Sequence, residues 1–316
     1  MRKILVIGGS RYFGKHLVAL VRDAGNEVTV LNRGSAAPPA GVTHLVADRG
    51  DEEHLRAALG PRTFDVVVDQ VCYTPLQAAV ARRVFAGRTG RYVMTSTIEV
   101  YNPATFASPV TPAPELPLTE DSLDLARVPA VTGLPWHDLG LVERAIGVDS
   151  AYSEGKRQAE AVFLRDPAFP YVSVRTAHVL GGGAEDFTGR LAHYVGRIGA
   201  GVPVDVRASS HLTSFIHHRE IADLLHWAAE QTFTGPVNAS SHGALDVRGL
   251  CEFIGGRLGR TPLYRFVEDA ATPVSPYALD HPYAMDNSRA AGLGFGFGRL
   301  TQWLPEVIAE AVDHPA

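Results

Sequence analysis

The amino-terminal part of the chain alternates short β-branched runs with amphipathic stretches: KILVI, KHLVALVRDAG, EVTVLN, HLVAD, EEHLRAAL, FDVVVDQ, PLQAAVARRVF and RYVMTS. Strands that are apolar on both faces are buried on both faces, and the intervening helices are what bury them. The alternation therefore predicts an α/β fold, a Rossmann-type doubly wound parallel sheet. From Asn102 to Pro135 prolines are frequent, as in NPATFASPVTPAPELPLTED. Each removes a ladder donor and restricts the residue before it, so residues 102–135 are expected to form a long surface excursion. Regular structure resumes with a helix from about Tyr152 to Leu164 and a strand YVSVRTAHVL. A helix near Arg190, a helix REIADLLHWAAEQ, a strand PVNAS and a helix VRGLCEFIGGRLG follow. There is no internal repeat.

Composition narrows the function classes. A chain of 316 residues with 46% hydrophobic and 20% charged residues is an ordinary globular protein. Its net charge of -5 supplies no basic field to gather nucleic acid, so nucleic-acid binding is disfavoured. Cys72 and Cys251 are far apart and support neither a disulfide framework nor a paired-cysteine metal site, which fits a reducing cytoplasm. No run of about 18 apolar residues is present, so no membrane span is expected. Among thirteen histidines, the adjacent His217 and His218 face opposite sides of a strand and do not share an ion, and no metal is expected. His178 is either a pocket residue or a satisfied interior histidine.

Directly after the first strand comes GGSRYFGKHL, with Gly8, Gly9 and Gly14 leading into a helix. Glycines there permit a tight turn and close backbone approach, and the helix amino end offers N–H groups to a pyrophosphate. A carboxylate at the end of the second strand would bind the adenosine ribose and repel a 2'-phosphate, but Asn32 and Arg33 stand there instead. Arg33, helped by Arg11, suits a 2'-phosphate, so NADP is expected ahead of NAD. The alternative is that both arginines are solvated surface residues. Asp48, after the third strand, either receives the adenine amino group or caps a helix.

The stretch YSEGK places Tyr152 and Lys156 four residues apart, on one face of a helix. A free phenol, with a pKa of about 10, is a poor base at neutral pH. Bringing it near neutrality takes roughly 4 kcal/mol, about what one cation roughly 4 Å away supplies at an effective dielectric of about 20. Lys156 can deliver that. The hydroxyls of TSTIEVY, residues 95–101, end the strand before it and add the carboxylate of Glu99.

Taken together, GGSRYFG, ADRGD, FDVVVDQV, TSTIEVY, YSEGK, VRTAHVLG, SFIHHREIA, GPVNASS and DNSRAAGLGF resemble, in order and over nearly the whole chain, the short-chain dehydrogenase/reductase superfamily. Within it the similarity is to the extended branch of NAD-dependent epimerase/dehydratase proteins. The resemblance implies that Tyr152 is the catalytic acid/base and that Lys156 orients the nicotinamide ribose and lowers the tyrosine's pKa. Thr97 completes the triad, with Ser96 as the neighbouring hydroxyl. It implies cofactor contacts at Gly8, Gly9, Ser10, Arg11, Tyr12, Phe13 and Gly14, and at Asn32, Arg33, Asp48, Arg49, Gln70 and Ser96, besides Tyr152 and Lys156. Residues 1–170 would then be mainly the dinucleotide-binding domain and 171–316 mainly a substrate lobe interleaved with the last strands. A small-molecule substrate, sugar-like or a nucleotide sugar, is implied, as is a homodimer.

The chain also departs from that family. Arg11 stands where a middle glycine is usual, a form similar to a divergent subgroup that includes chloroplast stem-loop RNA-binding proteins. A non-catalytic RNA-binding or cofactor-sensing relative is therefore an alternative, although this chain keeps its tyrosine. Sugar-nucleotide 4,6-dehydratases carry an aspartate where Ile98 stands, and decarboxylases of sugar-nucleotide uronates keep threonine and glutamate around a small residue. Glu99 either moves a proton after oxidation, in a dehydratase or decarboxylase, or orients substrate or pairs with a cation. Thr213 replaces an arginine that commonly holds the diphosphate; Arg175, Arg190 and Arg207 are candidate substitutes or surface residues. Glu220 replaces an aspartate.

Overall fold

The computed structural model describes residues 1–106, 116–269 and 272–314. Of these, one compact unit takes 1–106, 120–176 and 222–238, and a second takes 116–119, 177–221, 239–269 and 272–314. Apart from the short segment 116–119, the chain stays in unit 1 up to Thr176, and it later returns to unit 1 for 222–238.

Unit 1 is built on β1 (Lys3–Ile7), β2 (Glu27–Asn32), β3 (Thr43–Val46), β4 (Val66–Asp69), β5 (Tyr92–Thr97) and β6 (Tyr171–Thr176). These six pair in parallel, in the order β3-β2-β1-β4-β5-β6, with a seventh strand, Gly235–Ala239, beside β6. This is the doubly wound order expected, reversing direction between β1 and β4, where such sheets open a crevice at their carboxyl ends. The runs VVVD of β4 and YVMTST of β5 are buried at every position, which is why they read as continuous rather than alternating. Helices α1 (Phe13–Asp23), α2 (Glu52–Leu59), α3 (Pro75–Phe85), α4 (Leu139–Ile146) and α5 (Val148–Arg165) belong to this unit.

The helix starts follow capping chemistry. Asp51 accepts from the His54 N–H at the head of α2, and Thr74 accepts from the Gln77 N–H at the head of α3, with Pro75 in the first turn. The core joins Leu5, Ile7, Val67 and Met94 to an aromatic cluster in which Tyr92 stacks on Phe169 at 5.0 Å and Phe163 on Tyr171 at 4.6 Å. Helix α5 begins at Val148, four residues before the expected start, so Tyr152 lies in its second turn. Residues 107–115 of the proline-rich stretch lie outside the described residues; around them are short 3-10 turns at Pro103–Thr105 and Glu120–Ser122.

Unit 2 has a sheet of β7 (His178–Leu180), β9 (Thr213–His217) and β11 (Ala244–Leu245), and a strand pair of β8 (Val204–Val206) with β12 (Tyr264–Phe266). The strand Gly235–Ala239 is β10. The run YVSVRTAHVL, expected as one strand, is two. Its ladder changes partner at Ala177, whose N–H donates to the Ala239 carbonyl, and His178 then pairs with Phe215. Helices α6 (Arg190–Gly199), α8 (Val247–Leu258), α9 (Ser288–Gly292) and α10 (Leu300–Asp313) complete the unit, and α7 (His218–Glu230) begins in it. Leu191, Tyr194, Ile198, Phe215, Leu250, Ile254, Leu304 and Ile308 form its core. Among the described residues no helix is long and apolar enough to cross a membrane.

Candidate active site

The glycine loop joins β1 to α1. Gly8 donates to the Leu31 carbonyl at 2.8 Å and Gly14 lies in the first turn of α1, where a β-carbon would sit 2.8 Å from Gly9 Cα and overlap the Gln70 amide oxygen. Glycine is thus required for α1 to start so close to the end of β4. The residue at the head of α1 is Tyr12, buried and at φ 51, which provides no side-chain cap. The Phe13 ring is 5.5 Å from it. Ser10 and Asn32 hold one another: Asn32 Nδ2 donates to Ser10 Oγ at 2.6 Å while Asn32 Oδ1 accepts from the Gly34 N–H at 2.7 Å. Arg11 and Arg33 are exposed.

The remaining loop residues separate. Asp48 is exposed and accepts from the Gly50 N–H at 2.7 Å, leaving the cap of α2 to Asp51. Arg49 turns inward, paired with Asp69 and donating to the Tyr92 hydroxyl at 3.3 Å. Its Nε and Nη1, and Nε2 of Gln70, are buried donors with no hydrogen-bond partner among the described residues. A helix end without a side-chain cap, a glycine that admits the backbone and an unsatisfied amide donor on Gln70 beside it together fit a dinucleotide.

Tyr152 and Lys156 lie one turn apart on α5 but in opposite environments: Tyr152 is 37% exposed and Lys156 only 1%. Lys156 Nζ donates to the Thr95 carbonyl at 2.8 Å and lies 6.0 Å from the Tyr152 ring centroid and 4.5 Å from that of Tyr73. Burial pushes the Lys156 ammonium down to about 8, so it is charged at neutral pH and loses its proton just above. Only three of the chain's 29 Lys and Arg residues are lysine, and the other two, Lys3 and Lys15, are exposed. An arginine would keep its charge at any pH, whereas a buried lysine gives a proton up.

The two hydroxyls that end β5 diverge. Thr97 Oγ1 accepts from the Glu99 N–H at 3.2 Å, capping the 3-10 turn Ile98–Tyr101, and keeps its own proton to donate. Ser96 Oγ instead donates to Glu160, which also accepts from Ser173 at 2.8 Å and pairs with Arg175 at 3.1 Å. Glu99 is half-buried and accepts from Asn102 Nδ2 at 3.1 Å. Ile98 is buried.

Arg157 and Tyr73 belong to none of the sequence motifs. Arg157, next to Lys156, is fully buried. It donates to the carbonyl oxygens of Val100 at 2.8 Å, Glu99 at 3.2 Å, Asn102 at 3.0 Å and Thr105 at 2.9 Å, pairs with Glu154 at 2.7 Å and lies 3.7 Å over the Phe106 ring. It fastens the segment that carries Glu99 to the helix that carries Tyr152. Arg175 is neither a surface residue nor a diphosphate ligand: it is fully buried on Glu160, the Tyr101 hydroxyl at 2.9 Å and the Glu120 carbonyl at 3.1 Å.

In unit 2, Arg207 donates to the carbonyls of Val267, Asp269 and Thr272, and Glu220 accepts from Ser241 and the Gly298 N–H. Thr213 is buried. His178 is buried among Tyr277, Phe215 and Tyr283, its Nε2 without a hydrogen-bond partner among the described residues, and burial lowers its pKa to about 3. It is an interior histidine, but not a satisfied one. Among the described residues no three His, Cys, Asp or Glu side chains cluster to hold a metal. A cavity of about 390 Å³ lies between residues 181–192 and the end of α10, and none of the expected catalytic residues lines it.

No family model matches the chain. No curated protein matches it in sequence. Solved structures do match over its whole length. The UDP-glucose 4-epimerase of Thermotoga maritima, solved with UDP-glucose, is 16% identical with a TM-score of 0.70, covering 99% of this chain and 98% of that one. The UDP-glucose 4-epimerase of Thermus thermophilus, solved with NAD, is 19% identical with a TM-score of 0.64 and the same coverage. The dTDP-glucose 4,6-dehydratase of Bacillus anthracis, solved with NAD, is 13% identical with a TM-score of 0.68, covering 98% and 96%. At these identities the likeness shows the fold, which is that of nucleotide-sugar epimerases and dehydratases.

Proposed function

We propose that this chain is an enzyme of the extended short-chain dehydrogenase/reductase type, an NADP-preferring oxidoreductase or epimerase acting on a hydroxyl or ketone of a sugar-like molecule or nucleotide sugar. The observation that carries the reading is the pairing of an accessible phenol with a buried amine: Tyr152 faces solvent while Lys156, one turn on, is desolvated and held on the Thr95 carbonyl. A buried ammonium that keeps its charge at neutral pH favours ionisation of a phenol nearby, and a phenol so tuned can take a proton from a carbinol. A bound nicotinamide would supply the hydride acceptor and donor. Thr97, whose oxygen accepts from the Glu99 N–H, is left to donate a hydrogen bond to the substrate oxygen. Tyr152 removes that oxygen's proton during oxidation and returns it during reduction.

The preference for NADP is supported by the absence of a carboxylate at the end of β2, where Asn32 is engaged with Ser10, and by the exposed Arg33 and Arg11. Two of the similar structures named above, those from Thermus thermophilus and Bacillus anthracis, were solved with NAD, so the relative affinities of the two cofactors are the test. Arg33→Ala is expected to weaken NADP roughly tenfold, the value of one charge-assisted phosphate contact, with little change for NAD. Equal affinities of the unaltered protein for both cofactors would contradict the preference.

Incubation with NADP and a panel of sugar nucleotides and free polyols, with products identified by mass and stereochemistry, tests the activity. Tyr152→Phe is expected to abolish most turnover and leave cofactor binding intact; retained turnover would sink the assignment. A second reading, a dehydratase or decarboxylase, is favoured by the half-buried Glu99 two residues past Thr97, and opposed by Ile98, which offers no acid. Glu99→Gln separates the two, since a reductase survives it and proton abstraction beside a ketone does not.

A further inference from the structure

We propose that Tyr73 is a positioning residue of the reacting centre: its ring covers the Lys156 amine and holds it, shielded from water, beside the Thr95 carbonyl and the Tyr152 ring. The proposal rests on the reading of Tyr152 and Lys156 given above. Tyr73 lies in the loop between β4 and α3, and its backbone is held at both ends. Its N–H donates to Gln77 Oε1 at 2.7 Å, and its carbonyl oxygen packs so closely on Gly155 that a β-carbon there would overlap it. The loop is thereby fixed to α5 one residue before Lys156.

From that anchor the ring reaches the amine. Nζ lies 4.5 Å from the Tyr73 centroid, closer than the 6.0 Å to Tyr152, and the two rings are 6.1 Å apart at 47°. A cation within about 6 Å of a ring face is drawn to its negative quadrupole. The ring acts in two opposing senses: its face favours the charged amine, and its bulk keeps water away from it. Burial outweighs the other groups that face Lys156, of which Asp69 and Glu160 favour the charge and Arg49 opposes it; the Cys72 thiol, pushed up to about 11 by burial, faces it uncharged. Tyr73 itself is half-buried, and desolvation raises the pKa of its phenol, so it faces the amine as a neutral ring.

The chain's three lysines make this directly measurable. With lysine carrying carbon-13 at its ε position, NMR gives three side-chain signals, and Lys156 titrates apart from the exposed pair. In the unaltered protein its midpoint is expected near 8. Tyr73→Phe keeps both face and cover and leaves the midpoint in place. Tyr73→Leu keeps the cover without the face and lowers it. Tyr73→Ala admits water and raises it by a pH unit or more, a tenfold gain in proton affinity. The basic limb of the activity profile moves with it. Leu and Ala variants that fold, as judged by unchanged Lys3 and Lys15 signals, and titrate like the unaltered protein would overturn the proposal. If neither folds, the unaltered protein decides: the ε-protons of Lys156 must be shifted upfield by the ring and show cross-relaxation to Tyr73, and absence of both refutes it. The titration uses no substrate, so it can fail while Tyr152→Phe still abolishes turnover, and the reverse.

Discussion

The Arg157 guanidinium donates to the main-chain oxygen of Glu99 at 3.2 Å, so the helix bearing Tyr152 and Lys156 holds the backbone at the exit of β5 by a charged group. Three more carbonyls, of Val100, Asn102 and Thr105, converge on the same side chain. Removing it takes a charged donor from all four carbonyls and leaves the buried Glu154 without its counter-charge. Arg157→Ala is expected to cost about 3–5 kcal/mol in urea unfolding, the range for breaking a buried ion pair from one side. Arg157→Lys should recover little, because a single ammonium does not span the fork. Amide exchange of residues 98–105 is expected to quicken in both variants, more than exchange in β1 or β4.

Gly155 gives a prediction whose sign opposes helix propensity. In a helix interior alanine is better than glycine by about 1 kcal/mol. Here the added carbon would overlap the Tyr73 carbonyl, and overpacking of this kind costs about 1–3 kcal/mol. Gly155→Ala is therefore expected to lower the melting temperature. The same substitution at Gly256 of α8, which has open space around its Cα, is not expected to lower it.

Lys156 carries a stability cost with a defined pH window. Its folded pKa, about 8, is below the ordinary 10.5, so the unfolded chain binds the proton more tightly. Stability from this group therefore rises as pH climbs from about 8 through 10.5, and the full cost stands below 8. Lys156→Met is expected to stabilise the protein at pH 7 by up to about 3 kcal/mol while abolishing activity, with the gain shrinking above about pH 8. Thermal or urea unfolding of both proteins across that range measures it.

His178 acts in the acid range. Buried and neutral, it has a folded pKa of about 3 against an ordinary value of 6.5, so stability contributed by its neutral form is present above 6.5 and is lost progressively as pH falls toward 3. The loss approaches about 1.4 kcal/mol per pH unit well below the ordinary value. His178→Phe is expected to flatten the unfolding free energy between about pH 6 and 4 relative to the unaltered protein. An unchanged slope there would mean that other groups carry the acid sensitivity.

Much of the architecture was legible because its signals are local. The strand runs, the glycine turn into α1 and the tyrosine and lysine one helical turn apart depend on neighbours within a few residues. What escaped depends on distant backbone. Nothing in the sequence tells that Arg157 will meet the carbonyls of residues 99–105, or that Tyr73 will lie on Lys156, since the fold alone creates those encounters. Composition alone makes Arg175 a surface or pocket cation, as arginines usually are, and a buried carboxylate partner on α5 overrides that preference. Arg49, where the family resemblance implies a cofactor contact, turns inward to Asp69. Helix α10 carries Pro305 inside it, a residue that ordinarily ends a helix.

Ser96 on β5 and Arg175 on β6 are register partners, and both reach Glu160 from α5. A slip of one residue would turn the arginine to the opposite face of the sheet and leave the carboxylate in the interior with no counter-charge. Apolar side chains at neighbouring positions would tolerate such a slip far better. The shared carboxylate therefore works as a proofreader of assembly: it rejects a misaligned pair of strands, and the alignment that satisfies it is the one that sets Thr97 beside Thr176.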